Sequence, residues 1–303
     1  MGIMKSYIKF FADTADHSEI DYCFSKGVND GITTNPRIMK NAGITNFEQA
    51  CKSILERYTN IDVSLETDLR EPNKTKPPHN GINLSDLDSR VDDVKLTLLQ
   101  QANVLSSLSP RVVVKIPISR GGIIATEYLS KIGIKTNVTA CMTPYQALEA
   151  AKAGATYVSL FANRMLDGHI VELATGSLNT ISNNGNWKDI IKVEKDKFLD
   201  QAWSRTLEQI AYVAKKLDDT SSSLIVGSIR LPEDIYKIAL CRPQVITIPK
   251  KIVEGLNNIP EIKKTLRTIK TNNVIIGNSL SHPMTHITLK DFEEAADSYR
   301  NIN

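Results

Sequence analysis

Residues 111–117 read RVVVKIP, and the fold follows from how this stretch is understood. Three consecutive valines, preceded by Ser109-Pro110 and closed by Pro117, have the composition of a short strand buried on both faces. Such strands belong to parallel sheets covered by helices. Yet Lys115 sits near the end of this one, and a buried ammonium group is costly. Two readings stand at this point: Lys115 reaches solvent at the strand end, or it is a nucleophile. An amine that attacks a ketone to form a Schiff base has to be neutral near pH 7, which for a lysine means coming down from ~10.4 to about 7–8.

Similar strands recur on both sides. They are IKFFAD (8–13), GITTN (31–35, stopped by Pro36), IDVSLET (61–67), KTNVTACM (135–142), YVSLFA (157–162), SLIVGSI (223–229) and VITIP (245–249). Helical patterns at about 17–26, 47–58, 88–108, 121–132, 144–154, 195–217 and 232–240 separate them, and a C-terminal helix pair follows, the last near 289–299. Strands alternating with helices in this way predict an α/β fold, a (β/α)8 TIM barrel forming one domain over residues 1–303. A doubly wound open sheet is the alternative, but no GxGxxG follows the first strand to support it. Two segments depart from the rhythm. Residues 70–87 contain Pro72, Pro77 and Pro78 and no periodicity, which predicts a surface loop inserted in the barrel. Residues 167–193 are polar and rich in Asn, Gly and Ser, which predicts a second excursion.

Composition narrows the function. At 41% hydrophobic and 23% charged residues the chain is an ordinary globular one, and a net charge of +3 with acids and bases interspersed gives no footprint for nucleic acid. No apolar run approaches the ~18 residues of a membrane span, and the N-terminus does not read as a signal peptide. Four scattered cysteines (Cys23, Cys51, Cys141, Cys241) form no CxxC pair and suit a reducing cytoplasm. The five histidines stand at no ligand spacing, so neither a metal nor a cofactor is expected. A homo-oligomer is compatible with the sequence.

In a barrel of this kind the chemistry sits at the C-terminal strand ends, and side chains alternate faces with period two. The first strand ends in Asp13. The second offers Thr33 and Asn35 on one face, and the third Ser64 and Glu66. The fourth has Lys115. The fifth puts Asn137, Thr139 and Cys141 on one face, the sixth ends with Ser159 and Phe161, and the seventh leads to Ser228 and Arg230. Carboxylates, amides, hydroxyls and one lysine at one rim point to carbonyl chemistry at an amine, with sugar phosphates as the small-molecule partners. Lys115 forms an imine with a ketose, and Asp13 and Glu66 move protons. Thr139 can hold a water between Glu66 and the imine. Asn35, Asn137 and Ser159 can bind sugar hydroxyls, while Arg164, Arg230 and Ser228 suit a phosphate. A protonated imine is itself the electron sink.

These residues resemble a family. FADTAD, GITTNP, VVVKIP, GIKTNVTACMTPYQALEAAKAGATYVSLFANR and VGSIR look, in that order, like the blocks of the transaldolases and the related fructose-6-phosphate aldolases, over most of residues 8–249. The resemblance implies a class I Schiff-base enzyme with Lys115 as the imine former and Asp13 as its acid/base partner. It implies a water-mediated relay through Glu66 and Thr139. Asn35, Asn137 and Ser159 would bind the dihydroxyacetone unit, with Thr33 and Phe161 also facing substrate, and Arg164, Ser228 and Arg230 would bind the phosphate. Transaldolases resemble this chain at Glu66 and Phe161, where the aldolases have Gln and Tyr, so transfer to an aldose phosphate is expected over release of dihydroxyacetone. One departure is Arg37, which stands where the family's TTNPS has serine.

Overall fold

The computed structural model describes residues 7–67, 90–182, 186–271 and 274–300. Eight strands form a closed parallel barrel: β1 (Lys9–Asp13), β2 (Gly31–Thr33), β3 (Asp62–Glu66), β4 (Val112–Pro117), β5 (Thr136–Cys141), β6 (Tyr157–Phe161), β7 (Ser223–Gly227) and β8 (Val245–Ile248). Each pairs with the next, and β8 pairs back onto β1 with Phe10 opposite Ile246. This is the expected (β/α)8 barrel. The loop expected at 70–87 lies outside the described residues.

The first half of the helical layer consists of α1 (His17–Ser25), α2 (Pro36–Asn41), α3 (Phe47–Arg57), α4 (Val91–Ser107), α5 (Arg120–Lys131) and α6 (Pro144–Lys152). Their starts are written in the sequence. Asp16, Asn46, Ser119 and Thr143 each cap the helix that follows by accepting an amide hydrogen, and Pro144 occupies the first turn of α6. The outer faces of the strands and the inner faces of the helices share one core, with Ile32, Val63, Val114, Val138 and Leu160 under Ile54, Leu98, Leu129 and Ala147.

The polar stretch at 167–193 is where the expectation fails. The chain there forms α7 (Ala162–Thr175), α8 (Asn179–Ser182) and the start of α9 (Trp187–Leu217). Polar composition hid an apolar stripe. Leu166 and Ile170, four residues apart, pack against Ala202 and Trp203 of α9, and Gly176 at φ 77° ends α7 in the left-handed conformation. The remaining helices are α10 (Pro232–Ala239), α11 (Lys250–Val253), α12 (Ile259–Lys263) and α13 (Pro283–Arg300).

α13 lies against α2 at the barrel mouth. It is tied to β5 at its start: Thr285 donates to the Ala140 carbonyl at 2.9 Å, and Gln146 donates to Thr285 and to the Leu280 carbonyl. Ala140 can offer that carbonyl because β5 is bulged. Val138 faces Val158 and Cys141 faces Leu160, so β5 holds one extra residue, with Ala140 at φ 61°. The extra residue also corrects the parity reading. Cys141 does not share a face with Asn137 and Thr139; it joins the outer core beside Leu160.

The barrel interior has an apolar floor of Phe11, Val113, Tyr157, Ile225 and Val245, in which the Phe11 and Tyr157 rings meet edge-on at 5.8 Å. Gly31 makes room for it, since a Cβ there would stand 2.7 Å from the Phe11 ring. Above this floor the interior turns polar.

Candidate active site

Lys115 projects from β4 into that polar layer and is 4% exposed. It does not reach solvent at the strand end. Its Nζ donates to the Thr34 carbonyl at 2.7 Å and lies 2.9 Å from Glu66 Oε2. That Glu66 oxygen makes no hydrogen bond of good geometry among the described residues, so its tie to Lys115 is chiefly one of charge. The Lys115 backbone is held as well, its carbonyl accepting from the Thr67 amide at 3.0 Å and the Thr67 hydroxyl at 2.9 Å. A buried ion pair fixed on two sides keeps the amine in one place.

Asp13, from β1, accepts a hydrogen bond from Thr33 at 2.7 Å, and Thr33 meets Thr247 of β8 at 2.5 Å. Burial raises the Asp13 carboxyl above its usual range, against the opposing pull of Thr33 and Lys115. Burial raises Glu66 too, with Lys115 again pulling the other way. Two carboxyl groups that desolvation pushes upward stand beside one amine, an arrangement suited to proton exchange.

On the other side of Lys115, Ser159 donates to Asn137 Oδ1 at 2.7 Å and Asn137 donates to Ser64 at 3.3 Å, a chain across β6, β5 and β3. The buried Thr139 hydroxyl makes no hydrogen bond among the described residues. Asn35 spends its carbonyl oxygen capping α2, at 2.8 Å from the Ile38 amide.

An inner chamber of about 150 Å³ brings together Asp13, Thr33, Asn35, Lys115, Asn137, Ser159 and Phe161. Gly227 forms part of its wall, and a Cβ there would press on Thr247 at 3.1 Å. Phe292 of α13 closes the chamber against Phe161, with ring centroids 6.3 Å apart. A wider cleft of about 740 Å³ opens outside it, and Arg37, Arg164 and Ser228 line both spaces. Of the anticipated residues, Glu66 and Thr139 stand behind the chamber and Arg230 lies only in the outer cleft; the others line the chamber itself.

The anticipated arginines are held by carboxylates. Arg230 makes a two-pronged pair with Asp167 of α7, at 2.8 and 2.5 Å, and Arg164 donates to Asp291 of α13 at 2.5 Å. Asp234 of α10 organises the loop that carries Arg230, accepting from the amides of Arg230 and Leu231 at 3.1 Å and from Asn163 at 2.8 Å. Asn163 also donates to the carbonyl of Ser228, which sits in the left-handed region at φ 62°.

The match to known proteins covers the same frame. A family model described as Transaldolase/Fructose-6-phosphate aldolase matches residues 10–301. The chain belongs to this family. Among curated relatives, a protein of Geotalea daltonii named probable transaldolase is 33% identical over 253 residues, covering 84% of this chain and 92% of its own length. Another of that name from Syntrophobacter fumaroxidans is 29% identical over 253 residues, 84% of this chain and 90% of that one. A third, from Flavobacterium psychrophilum, is 37% identical over 174 residues, 57% of this chain and 68% of its own. Membership of the family agrees with a transaldolase-type enzyme, and no described helix is long and apolar enough to cross a membrane.

Asp167, Asp234, Thr247, Asp291 and Phe292 escaped the sequence reading. Thr247 was within reach, since in VITIP it shares parity with Val245, which faces the interior. Asp167 follows Arg164 by three residues, a helical neighbour once α7 is recognised. Nothing local marks Asp291, whose place depends on where α13 crosses the mouth.

Proposed function

We propose that the protein is a transaldolase acting through a Schiff base at Lys115. It moves a dihydroxyacetone unit from a ketose phosphate of the sedoheptulose 7-phosphate type to an aldose phosphate of the glyceraldehyde 3-phosphate type, an exchange at home in cytoplasmic pentose phosphate metabolism. The observation that carries this reading is the sealed Lys115 amine, 2.9 Å from the Glu66 carboxylate, at the base of a chamber lined by Asp13, Asn137 and Ser159.

The Lys115 amine adds to the ketose C2, and the carbinolamine loses water to give a protonated imine. Glu66, through a water held at Thr139, moves the protons of that dehydration. Asp13 removes the proton from the C4 hydroxyl and the C3–C4 bond breaks. The aldose leaves, and the bonding pair is held as the enamine. C3 of the enamine then attacks the acceptor carbonyl carbon, and the new alkoxide takes its proton back from Asp13. Water finally adds to C2 of the imine, releasing the ketose and the amine. Asn35, Asn137 and Ser159 hold the three-carbon unit, and Arg164, Ser228 and Arg230 the phosphate.

Phe161 and Phe292 support transfer over release, because two apolar rings over the waiting enamine offer no hydroxyl to direct a water. The test is borohydride reduction with a ketose, followed by peptide mass mapping and a product assay with and without glyceraldehyde 3-phosphate. Mass added at Lys115 and products that require the acceptor are expected. Label on another lysine overturns the Schiff-base assignment, and equal cleavage without acceptor overturns transfer.

A further inference from the structure

Arg37 is unlike the other two arginines of the cleft. Its guanidinium makes no hydrogen bond among the described residues, and its nearest carboxylate oxygen, Asp291 Oδ2, is 3.7 Å away. The same oxygen is the one Arg164 holds at 2.5 Å. A single carboxylate oxygen therefore stands between two guanidinium groups, at the boundary between the inner chamber and the outer cleft. Arg230, by contrast, is committed in two-pronged fashion to Asp167, which is 4% exposed. The outer cleft as a whole is lined by five basic and three acidic side chains, a surplus of two positive charges.

We infer that Arg37 is a specificity-determining residue, forming with Arg164 a two-arginine clamp for the terminal phosphate of the sugar, and that Asp291 occupies the anion position of this clamp in the free protein. This rests on the phosphate recognition proposed above and adds to it a third arginine and a built-in competitor. A phosphate bears about −1.5 to −2 charge and three acceptor oxygens against the single charge of a carboxylate, so it outcompetes Asp291 for two facing guanidinium groups. Arg37 has all five donors to offer and Arg164 retains those not facing Asp291. Because Asp291 belongs to α13, with Phe292 beside it over the chamber, arrival of the phosphate also releases the helix contact nearest the mouth. Phosphorylated sugars are thereby preferred over unphosphorylated ones at a point separate from Arg230.

The test is calorimetric titration of the whole chain with inorganic phosphate, comparing matched pairs of variants. Arg37→Gln should weaken phosphate binding about tenfold, the size of one charge-assisted contact at a half-exposed site, whereas Lys40→Gln, which removes an equal charge from the same cleft, should change it less than about twofold. Asp291→Asn should tighten binding about threefold or more, and Glu294→Gln, an equal charge change one turn along α13, should do so less. Equal losses for Arg37→Gln and Lys40→Gln overturn the clamp, since they reduce Arg37 to a contribution to the general field. Equal gains for Asp291→Asn and Glu294→Gln overturn the competitor role of Asp291. The Arg37 and Lys40 comparison decides the clamp by itself if Asp291→Asn loosens α13. Borohydride labelling of Lys115 in the parent protein with unphosphorylated fructose tests the catalytic reading separately. Absent labelling in the parent defeats the catalytic reading and leaves the phosphate titration to judge the clamp alone.

Discussion

The inner chamber and the outer cleft meet at Arg37, Arg164 and Ser228 and are made in different ways. The chamber is walled by strands. Asp13 with Thr33, and Ser159 with Asn137, are hydrogen-bonded to one another inside a closed sheet, so each group has little freedom. The cleft is walled by helices and loops, and its charges pair across elements far apart in sequence, Arg230 with Asp167 and Arg164 with Asp291. The first arrangement suits bond making, where small displacements are costly; the second suits capture, where charge and adaptability matter more.

This contrast can be broken by experiment. The largest effect should come from the chamber. Lys115→Ala should lower turnover by at least about 10³-fold and abolish borohydride labelling, because no other group there can form the imine. A residual rate within tenfold of the parent would show that the chamber is not where the bond is made.

The cleft should answer differently. Arg230→Ala, combined with Asp167→Asn so that no buried carboxylate is left unpaired, should raise KM for phosphorylated ketoses about 10- to 100-fold and leave the kinetics of unphosphorylated fructose nearly unchanged. Equal losses for both substrates would mean that Arg230 supports the fold and not the phosphate.

A smaller effect should mark the boundary between the two regions. Phe161→Tyr, alone or with Glu66→Gln, should shift products severalfold from transfer towards free dihydroxyacetone while Lys115 remains trappable, as read by the ratio of the two products. A parallel decline in both would separate these residues from the partition.

The smallest concerns α13, which spans both. His282 Nδ1 accepts the Met284 amide at 3.2 Å, which requires the nitrogen to be unprotonated. Burial, aided by repulsion from His169 and His286 and opposed by Glu172, pushes the ring down to about 4. The unfolded chain takes up this proton near 6.5, so between pH 6.5 and 4 the unfolded state binds more protons and stability decreases as the pH is lowered. Thermal midpoints should drop over that window, and His282→Asn should flatten the drop. An unchanged slope would remove His282 from the acid sensitivity of the helix.

The same contrast separates what could be read in the sequence from what could not. RVVVKIP and its companion strands carry period-two alternation, so the strand-borne groups Asp13, Glu66, Lys115, Asn137 and Ser159 were legible with their faces. The cleft was half legible. Arg164 and Arg230 were found, but Asp167 lay inside a segment whose polar composition masked the Leu166 and Ile170 stripe, and Asp291 depends on a crossing of helices that no local pattern encodes. The bulge in β5 was invisible for a similar reason, since period two presumes an unbroken ladder and one extra residue reverses it.

That bulge separates two kinds of nucleophile. Simple alternation would have turned the Cys141 sulfur towards the chamber, where the proposed reaction would make and consume aldehydes, and thiols add readily to aldehydes. One surplus residue turns the thiol instead into the hydrocarbon beneath the helices, where burial also holds it in its protonated, unreactive form. On the function proposed above, Lys115 would then meet the carbonyl with no sulfur among the described residues of the chamber lining to form a dead-end hemithioacetal.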